Sequence, residues 1–474
     1  MRYKNTSDVT IKLYVLYTPE RWESKRVRHM HRNVSAIDDL RHSRVMLRRW
    51  PIVPGVTSQH HPLPAKPENS ILAVPRATTG RNLDMNLDRN NGRQHPFTSV
   101  LLAMAFWWAT SAPCVEPDAP PSADGGVGNQ QIVEQLTRIR QQHSVPGIAA
   151  AVVTRQGKVT VGAVGLRKRG AKIPVTLRDR WHLGSETKAM TATLIARLVE
   201  QQHLRWDSTT AEVFPDASAK FHPDMREATV LQLLCHRSGL PANLALNQYR
   251  GADATAERRR AVVQELAKPP LTKPGSTYAY SNLGYLIAGA MIEKVTGQSW
   301  QTKIVEEVFA PLKMQDVGFG GVGTPGKLDQ PWGHTAAGDP VGANGPSVDN
   351  PPVMGPAGRV HSTIQDWARF VRDHLRGAAG DVALLNKDSY PKLHTPPLGG
   401  NYALGWLVLE RRWGGGRVLH HAGSNTMNYA NLWVAPRRGF AVLVCVNQGG
   451  DAAFRATDAV ASALINLHNR DKLR

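Results

Sequence analysis

Ser185 and Lys188 stand three residues apart at the head of a segment that reads as a helix. Met190, Leu194 and Leu198 recur every four residues along it, with Ile195 and Val199 beside them. A serine at a helix N-terminus has its hydroxyl in a positive local field. A lysine one turn on lies on the same face. The pair therefore offers a weak hydroxyl nucleophile and an amine that can take its proton. The preceding Trp181-His182-Leu183-Gly184 reads as a strand and turn, which would set the serine at an edge. Taken alone, the tetrapeptide also fits a helix cap followed by a solvated lysine. Ser389-Tyr390-Pro391-Lys392 repeats the spacing, with a proline that suggests a turn or a first helical position.

Further groups that could do chemistry follow in a set order. Tyr280-Ser281-Asn282 comes after the turn Lys273-Pro274-Gly275-Ser276 and opens an apolar helix from Leu283 to Val295, with Gly297 placed to end it. Its bland alternative is a turn in which Ser281 or Asn282 caps that helix. Tyr-x-Asn also recurs at Tyr3-Lys4-Asn5 and Tyr429-Ala430-Asn431, so the triplet gains meaning only from its place. Farther on, His421-Ala422-Gly423-Ser424 lies between two β-rich runs. These three motifs, each at the edge of an element, resemble those of the β-lactamase-related serine hydrolases: class C β-lactamases, D-Ala-D-Ala carboxypeptidases, D-amino-acid peptidases and related esterases. Accessory stretches agree with the resemblance. They are Leu233-Leu234-Cys235-His236-Arg237-Ser238-Gly239-Leu240, Gly284 to Gly289, Gly358 to Thr363 with Asp366, and Tyr402-Ala403-Leu404-Gly405-Trp406. The resemblance spans roughly residues 129 to 468.

It implies roles residue by residue. Ser185 would be the nucleophile of an acyl-enzyme and Lys188 would help remove its proton, which requires neighbours and burial to lower the amine's pKa. Tyr280 would be a second proton carrier, and a tyrosine near two cations would be unusually acidic. Asn282 would hold Lys188 and the substrate amide. His421 would stand where many relatives have lysine, Gly423 would let the strand backbone come close, and the N–H groups of Ser185 and Ser424 would form the oxyanion hole. His421 is no fixed cation and Ala422 carries no hydroxyl, so the grip on a substrate carboxylate is weakened. The expected activity is hydrolysis of an ester or amide, with β-lactams, D-amino-acid peptides and carboxylic esters as candidates. A D-Ala-D-Ala carboxypeptidase and a penicillin-binding sensor that does not turn over are the alternatives.

Other chemistry lacks its motifs. No Gly-x-Ser-x-Gly elbow, His-Glu-x-x-His or paired Cys-x-x-Cys occurs, and no Gly-rich phosphate loop follows a strand, so neither cofactor nor metal is expected. His60-His61 lies in a Pro-rich tract without further ligands. The partner is expected to be a small molecule or peptide. The formal net charge is +20. Residues 1–96 contribute about 17 Lys and Arg against about 8 Asp and Glu, densest from Arg41 to Arg49. That tract has no nucleic-acid-binding motif, so no nucleic-acid partner is expected. Cys114, Cys235 and Cys445 give no disulfide framework, and the last two sit in apolar runs as buried thiols.

The elements that must position these residues define the organisation. Residues 1–84 read as a disordered extension or a mis-assigned start. Residues 85–112 resemble a signal peptide, with Arg89 and Arg93 before the apolar run Phe97 to Ala109, then small residues. That run is too short to span a membrane comfortably, so no stable span is expected. Export, to the periplasm or beyond, is the expectation. A linker covers 113–128 and the catalytic domain 129–470. Within the domain, Ile132 to Ile139 read as a helix. Gly147 to Val153 and Lys158 to Val164 form a hairpin. A mostly helical stretch runs from Ser185 to about residue 355, and residues 318–356 read as a single long Gly/Pro-rich loop. Strands return at 403–409, 417–420, 429–434 and 440–446 before a closing helix from about Ala452 to His468. Strands at both ends with helices between predict an α+β fold. In it, an antiparallel sheet is flanked by terminal helices and an all-helical lobe is inserted.

Overall fold

A computed structural model describes residues 126–471, apart from 343, 344, 346 and 347. The extension 1–84, the segment 85–112, nearly all of the linker, Cys114 and His60-His61 lie outside the described residues. In chain order the described strands are β1 (Val127–Gly128), β2 (Gly147–Thr154), β3 (Val159–Gly165), β4 (Arg180–His182), β5 (Val317–Phe319), β6 (Gly333–His334), β7 (Pro340–Gly342), β8 (Val360–Thr363), β9 (Leu407–Arg411), β10 (Gly416–Ser424), β11 (Tyr429–Ala435) and β12 (Phe440–Val446). The longer helices are α1 (Gln130–His143), α2 (Thr187–Glu200), α3 (Ala254–Leu266), α4 (Asn282–Thr296), α5 (Ile364–Ala378) and α6 (Gly450–Asp471).

The main sheet is antiparallel, in the order β1-β3-β2-β12-β11-β10-β9. Its centre joins the two ends of the domain, with Ile148 opposite Val446 and Val152 opposite Val442. Side chains alternate across it. From β2 and β12, Ala149, Ala151, Val153, Ala441, Leu443 and Cys445 enter the larger core, shared with α2, α4 and α5. Ile148, Val152, Phe440, Val442, Val444 and Val446 enter a second core beneath α1 and α6. Both faces are covered, which explains why Phe440 to Val446 reads as a continuous apolar run and every residue of it is buried. The α+β architecture with flanking terminal helices is therefore the one expected.

The insertion between β3 and β9 holds the helical lobe. It departs from an all-helical reading in one respect: β4, β8 and β5 form a second, three-stranded antiparallel sheet. These strands are too short to leave a periodic signal. The stretch 318–356 is likewise not one loop, because it carries most of β5 and the β6–β7 hairpin. Helix α2 is buried on nearly all sides, from Thr187 through Ala196, so its apolar pattern runs around the whole helix. Helix α4 starts with Ser281 as its cap, the hydroxyl accepting from Gly284 N at 3.0 Å, and ends at Gly297 with φ 69°. No helix among the described residues is long and apolar enough to cross a membrane.

Candidate active site

Ser185 lies on a single 3₁₀ turn, Gly184–Glu186, that runs from β4 directly into α2. The turn is fixed from three sides. Thr187 Oγ1 donates to Gly184 O at 2.7 Å and accepts from Val360 N of β8 at 3.1 Å. Gly184 N donates to His182 Nδ1 at 3.1 Å. The end of β10 packs against the turn backbone to backbone. A methyl group at Gly423 would overlap Leu183 O and lie 2.7 Å from Ser185 N, and one at Gly184, whose φ is +51°, would overlap Ser424 N. Glycine at both positions is what lets the nitrogens of Ser185 and Ser424 approach.

Ser185 Oγ is the meeting point of two other groups. Lys188 Nζ is 3.0 Å away and Tyr280 Oη donates to it at 2.9 Å. Lys188 is fully buried and its nitrogen also reaches Ala357 O at 2.6 Å. Burial holds its pKa well below the usual lysine value, against the opposing pull of Glu186. A neutral amine here donates one hydrogen to Ala357 O and offers its lone pair to the Ser185 hydroxyl. Its nitrogen also lies 4.9 Å from the centre of the Tyr280 ring.

Tyr280 departs from expectation. Its hydroxyl is not made acidic: burial pushes its pKa well above the usual phenol value, and the hydrogen bond to Ser185 only partly offsets this. The neighbours that could acidify it as cations, Lys188 and His421, both have their charged forms disfavoured by burial. Burial lowers the Lys188 pKa and is the main cause that holds His421 down to about 3. Tyr280 therefore stands as a proton donor in the resting site.

His421 is buried, and both its nitrogens are engaged. Nδ1 donates to Ala422 O at 2.8 Å, so Nε2 accepts from Tyr402 Oη at 3.0 Å. Asn282 sits at the start of α4, and its amide donates to Asn243 Oδ1 at 2.8 Å, whereas Lys188 is held by Ala357 O instead. Ser424 Oγ donates to Asn428 O at 2.8 Å, which closes the bend after β10. Thus Ser185, Lys188 and Tyr280 come together, Gly423 and Ser424 line the nucleophile's turn, and His421 and Asn282 make other contacts than those expected.

Sequence patterns alone left several contributors without a role. His236 has φ +59° and packs its ring 4.2 Å from Tyr280 and 4.5 Å from Tyr402. Its Nδ1 accepts from Ser281 N at 3.1 Å, and burial above all holds its pKa well below the usual imidazole value. Tyr402 is the partner of His421, and Gly405 (φ +83°) packs against the Lys188–Ala189 backbone. His236, Tyr402 and Gly405 all fell within the accessory stretches, but nothing in a sequence shows which ring will stack on which. The second Ser-x-x-Lys is inert in this sense: Ser389 Oγ donates to Glu200 at the far end of α2. Among the described residues no group of His, Cys, Asp and Glu could hold a metal.

Comparison with known proteins identifies the family and agrees with the fold. The sequence profile of the family described as Beta-lactamase matches residues 130–467. Penicillin-binding protein 4 of Amycolatopsis lactamdurans is 29% identical over 338 residues, 68% of this chain and 86% of that protein. The octameric penicillin-binding protein homologue from Pyrococcus abyssi superposes with a TM-score of 0.57 at 25% identity, covering 70% of this chain and 77% of that one. The D-amino acid amidase from Ochrobactrum anthropi SV3, solved with L-phenylalanine amide, has the same fold, with a TM-score of 0.58 at 23% identity, over 72% of this chain and all (100%) of that one.

Proposed function

The chain belongs to the Beta-lactamase family, and from that premise we propose that this serine hydrolase cleaves a carboxylic ester or amide through an acyl-enzyme on Ser185. The observation that carries the reading is a serine hydroxyl 3.0 Å from a fully buried lysine nitrogen and 2.9 Å from a tyrosine hydroxyl. Neutral Lys188 takes the Ser185 proton as Oγ bonds to the carbonyl carbon. The backbone N–H groups of Ser185 and Ser424 receive the developing oxyanion. Tyr280 gives its proton to the departing alkoxide or amine, and the Lys188 ammonium restores it. Water then replaces the leaving group, and the same relay runs in reverse to release the acid.

The third motif favours a substrate without a free carboxylate beside the scissile bond. His421 is neutral, both its nitrogens are occupied, and Ala422 adds no hydroxyl. Uncharged esters or amides are therefore the proposed class. A second reading keeps the D-Ala-D-Ala carboxypeptidase alternative, whose substrate carries a free carboxylate, as does penicillin, the ligand in the name of the Amycolatopsis relative. His421→Lys tests the choice. It should raise kcat/KM for a carboxylate-bearing substrate over a neutral ester by about tenfold, the worth of one charge-assisted hydrogen bond. An unchanged ratio would rule out this basis for substrate choice.

A further inference from the structure

Asp349 lies in the Gly/Pro-rich stretch, away from the three motifs in sequence, yet its buried carboxylate meets residues beside both arms of the proposed oxyanion hole. On one side Oδ1 is 2.9 Å from His182 Nε2. The other ring nitrogen of His182 accepts the Gly184 N–H, so the imidazole proton is on Nε2, within ion-pair distance of Asp349 though not aligned with it as a hydrogen bond. Gly184 immediately precedes Ser185. On the other side Asn425 Nδ2 donates to Asp349 Oδ1 at 3.1 Å, and Asn425 immediately follows Ser424. The second carboxylate oxygen accepts from Arg359 Nε at 3.0 Å, just before β8. Asn425 is itself immobilised, because its Oδ1 accepts from Met427 N at 3.2 Å and from Asn428 Nδ2 at 3.1 Å. His182, Asp349 and Asn425 are all buried, at 3%, 9% and 4% exposure.

We propose that Asp349, acting through His182 and Asn425, is a positioning clamp that sets the spacing of the Ser185 and Ser424 backbone N–H groups. The proposal rests on the acyl-enzyme reading above. The 3₁₀ turn and the end of β10 belong to elements far apart in the chain, and a single carboxylate joins the residues that flank them. Arg359 ties that carboxylate to β8, which also holds Leu183 N through Val360 O at 2.9 Å. Burial raises the cost of the Asp349 charge, but His182 and then Arg359 outweigh it and hold the carboxyl at about 2. The clamp is therefore ionised throughout the neutral range.

The test compares acylation of the full chain by p-nitrophenyl butyrate and by its thionoester, in which sulfur replaces the carbonyl oxygen and gains little from an oxyanion hole. Asp349→Asn keeps the shape of the side chain but replaces one acceptor oxygen with an amide donor. His182→Gln keeps a donor for Asp349 and loses the acceptor for Gly184. Each should slow ester acylation by about ten- to hundredfold while changing thionoester acylation less than about threefold. Asn425→Ala cuts one arm only, and gives the same selective loss should Asp349→Asn fail to fold. Equal losses on both substrates, or ester rates within about twofold of wild type, would overturn the clamp. Ester activity persisting in Ser185→Ala, or no acylation of wild type, would instead overturn the acyl-enzyme reading on which it rests.

Discussion

At the scale of the residue, the site depends on which buried groups are charged. Lys188 is the group from which burial removes the charge most usefully, since only a free amine can take a proton from Ser185. Its neighbour Glu186 is buried to 1% exposure, and neither carboxyl oxygen has a hydrogen-bond partner among the described residues. Burial pushes its pKa well above the usual 4.5, with Lys188 opposing. The folded protein therefore keeps a proton that the unfolded chain releases as pH rises past about 4.5, and this contribution to stability falls with rising pH. Glu186→Gln removes that dependence. Its thermal midpoint should match the wild type near pH 4.5 and exceed it by a few degrees at pH 8, where roughly 1 kcal/mol is expected to be at stake. A wild-type advantage that grows with pH would contradict the neutral state of Glu186. The sequence marked Ser185, Lys188 and Tyr280 through type and spacing. It could not show that Tyr280 is a poor acid, because its acidity is set chiefly by desolvation in the folded site.

At the scale of the element, catalysis depends on a close passage between the nucleophile's turn and β10. Gly423 faces Leu183 O and Ser185 N, and Gly184 faces Ser424 N. Gly423→Ala forces these backbones apart. It should cost about 1–3 kcal/mol of stability as an overpacked contact. Ester acylation should fall on the order of a hundredfold, the scale expected when a reacting group is misplaced by about 1 Å. Denaturant unfolding and burst kinetics measure the two effects, and wild-type acylation in the variant would show that the passage is not needed. Helices α1, α2 and α4 and strands β2, β3, β11 and β12 were legible because each is long enough to show its period. The sheet of β4, β8 and β5 was not, since strands of three or four residues carry no usable alternation. Its strands nonetheless hold Leu183 and Thr187 against Val360.

At the scale of the whole molecule, the pairing of β2 with β12 ties the domain's ends together, and the helical lobe and the main sheet close on Ser185 from either side. The order of the motifs carried this architecture, because residues about ninety positions apart must share one cleft to act together. Contacts such as His182 with Asp349 were not legible, since they cross the long Gly/Pro-rich stretch and leave no spacing rule. Export remains our proposal, resting on the signal-like segment from Met85. The central claim is tested most directly by intact-mass measurement of the full chain with an activated ester and, separately, a fluorescent penicillin. Peptide mapping of any adduct and a parallel sample of Ser185→Ala complete the test. A mass gain is expected on wild type alone, carried by the peptide containing Ser185 and decaying as the acyl-enzyme hydrolyses. An adduct on Ser185→Ala, an adduct mapped elsewhere, or no gain with either reagent would contradict the acyl-enzyme.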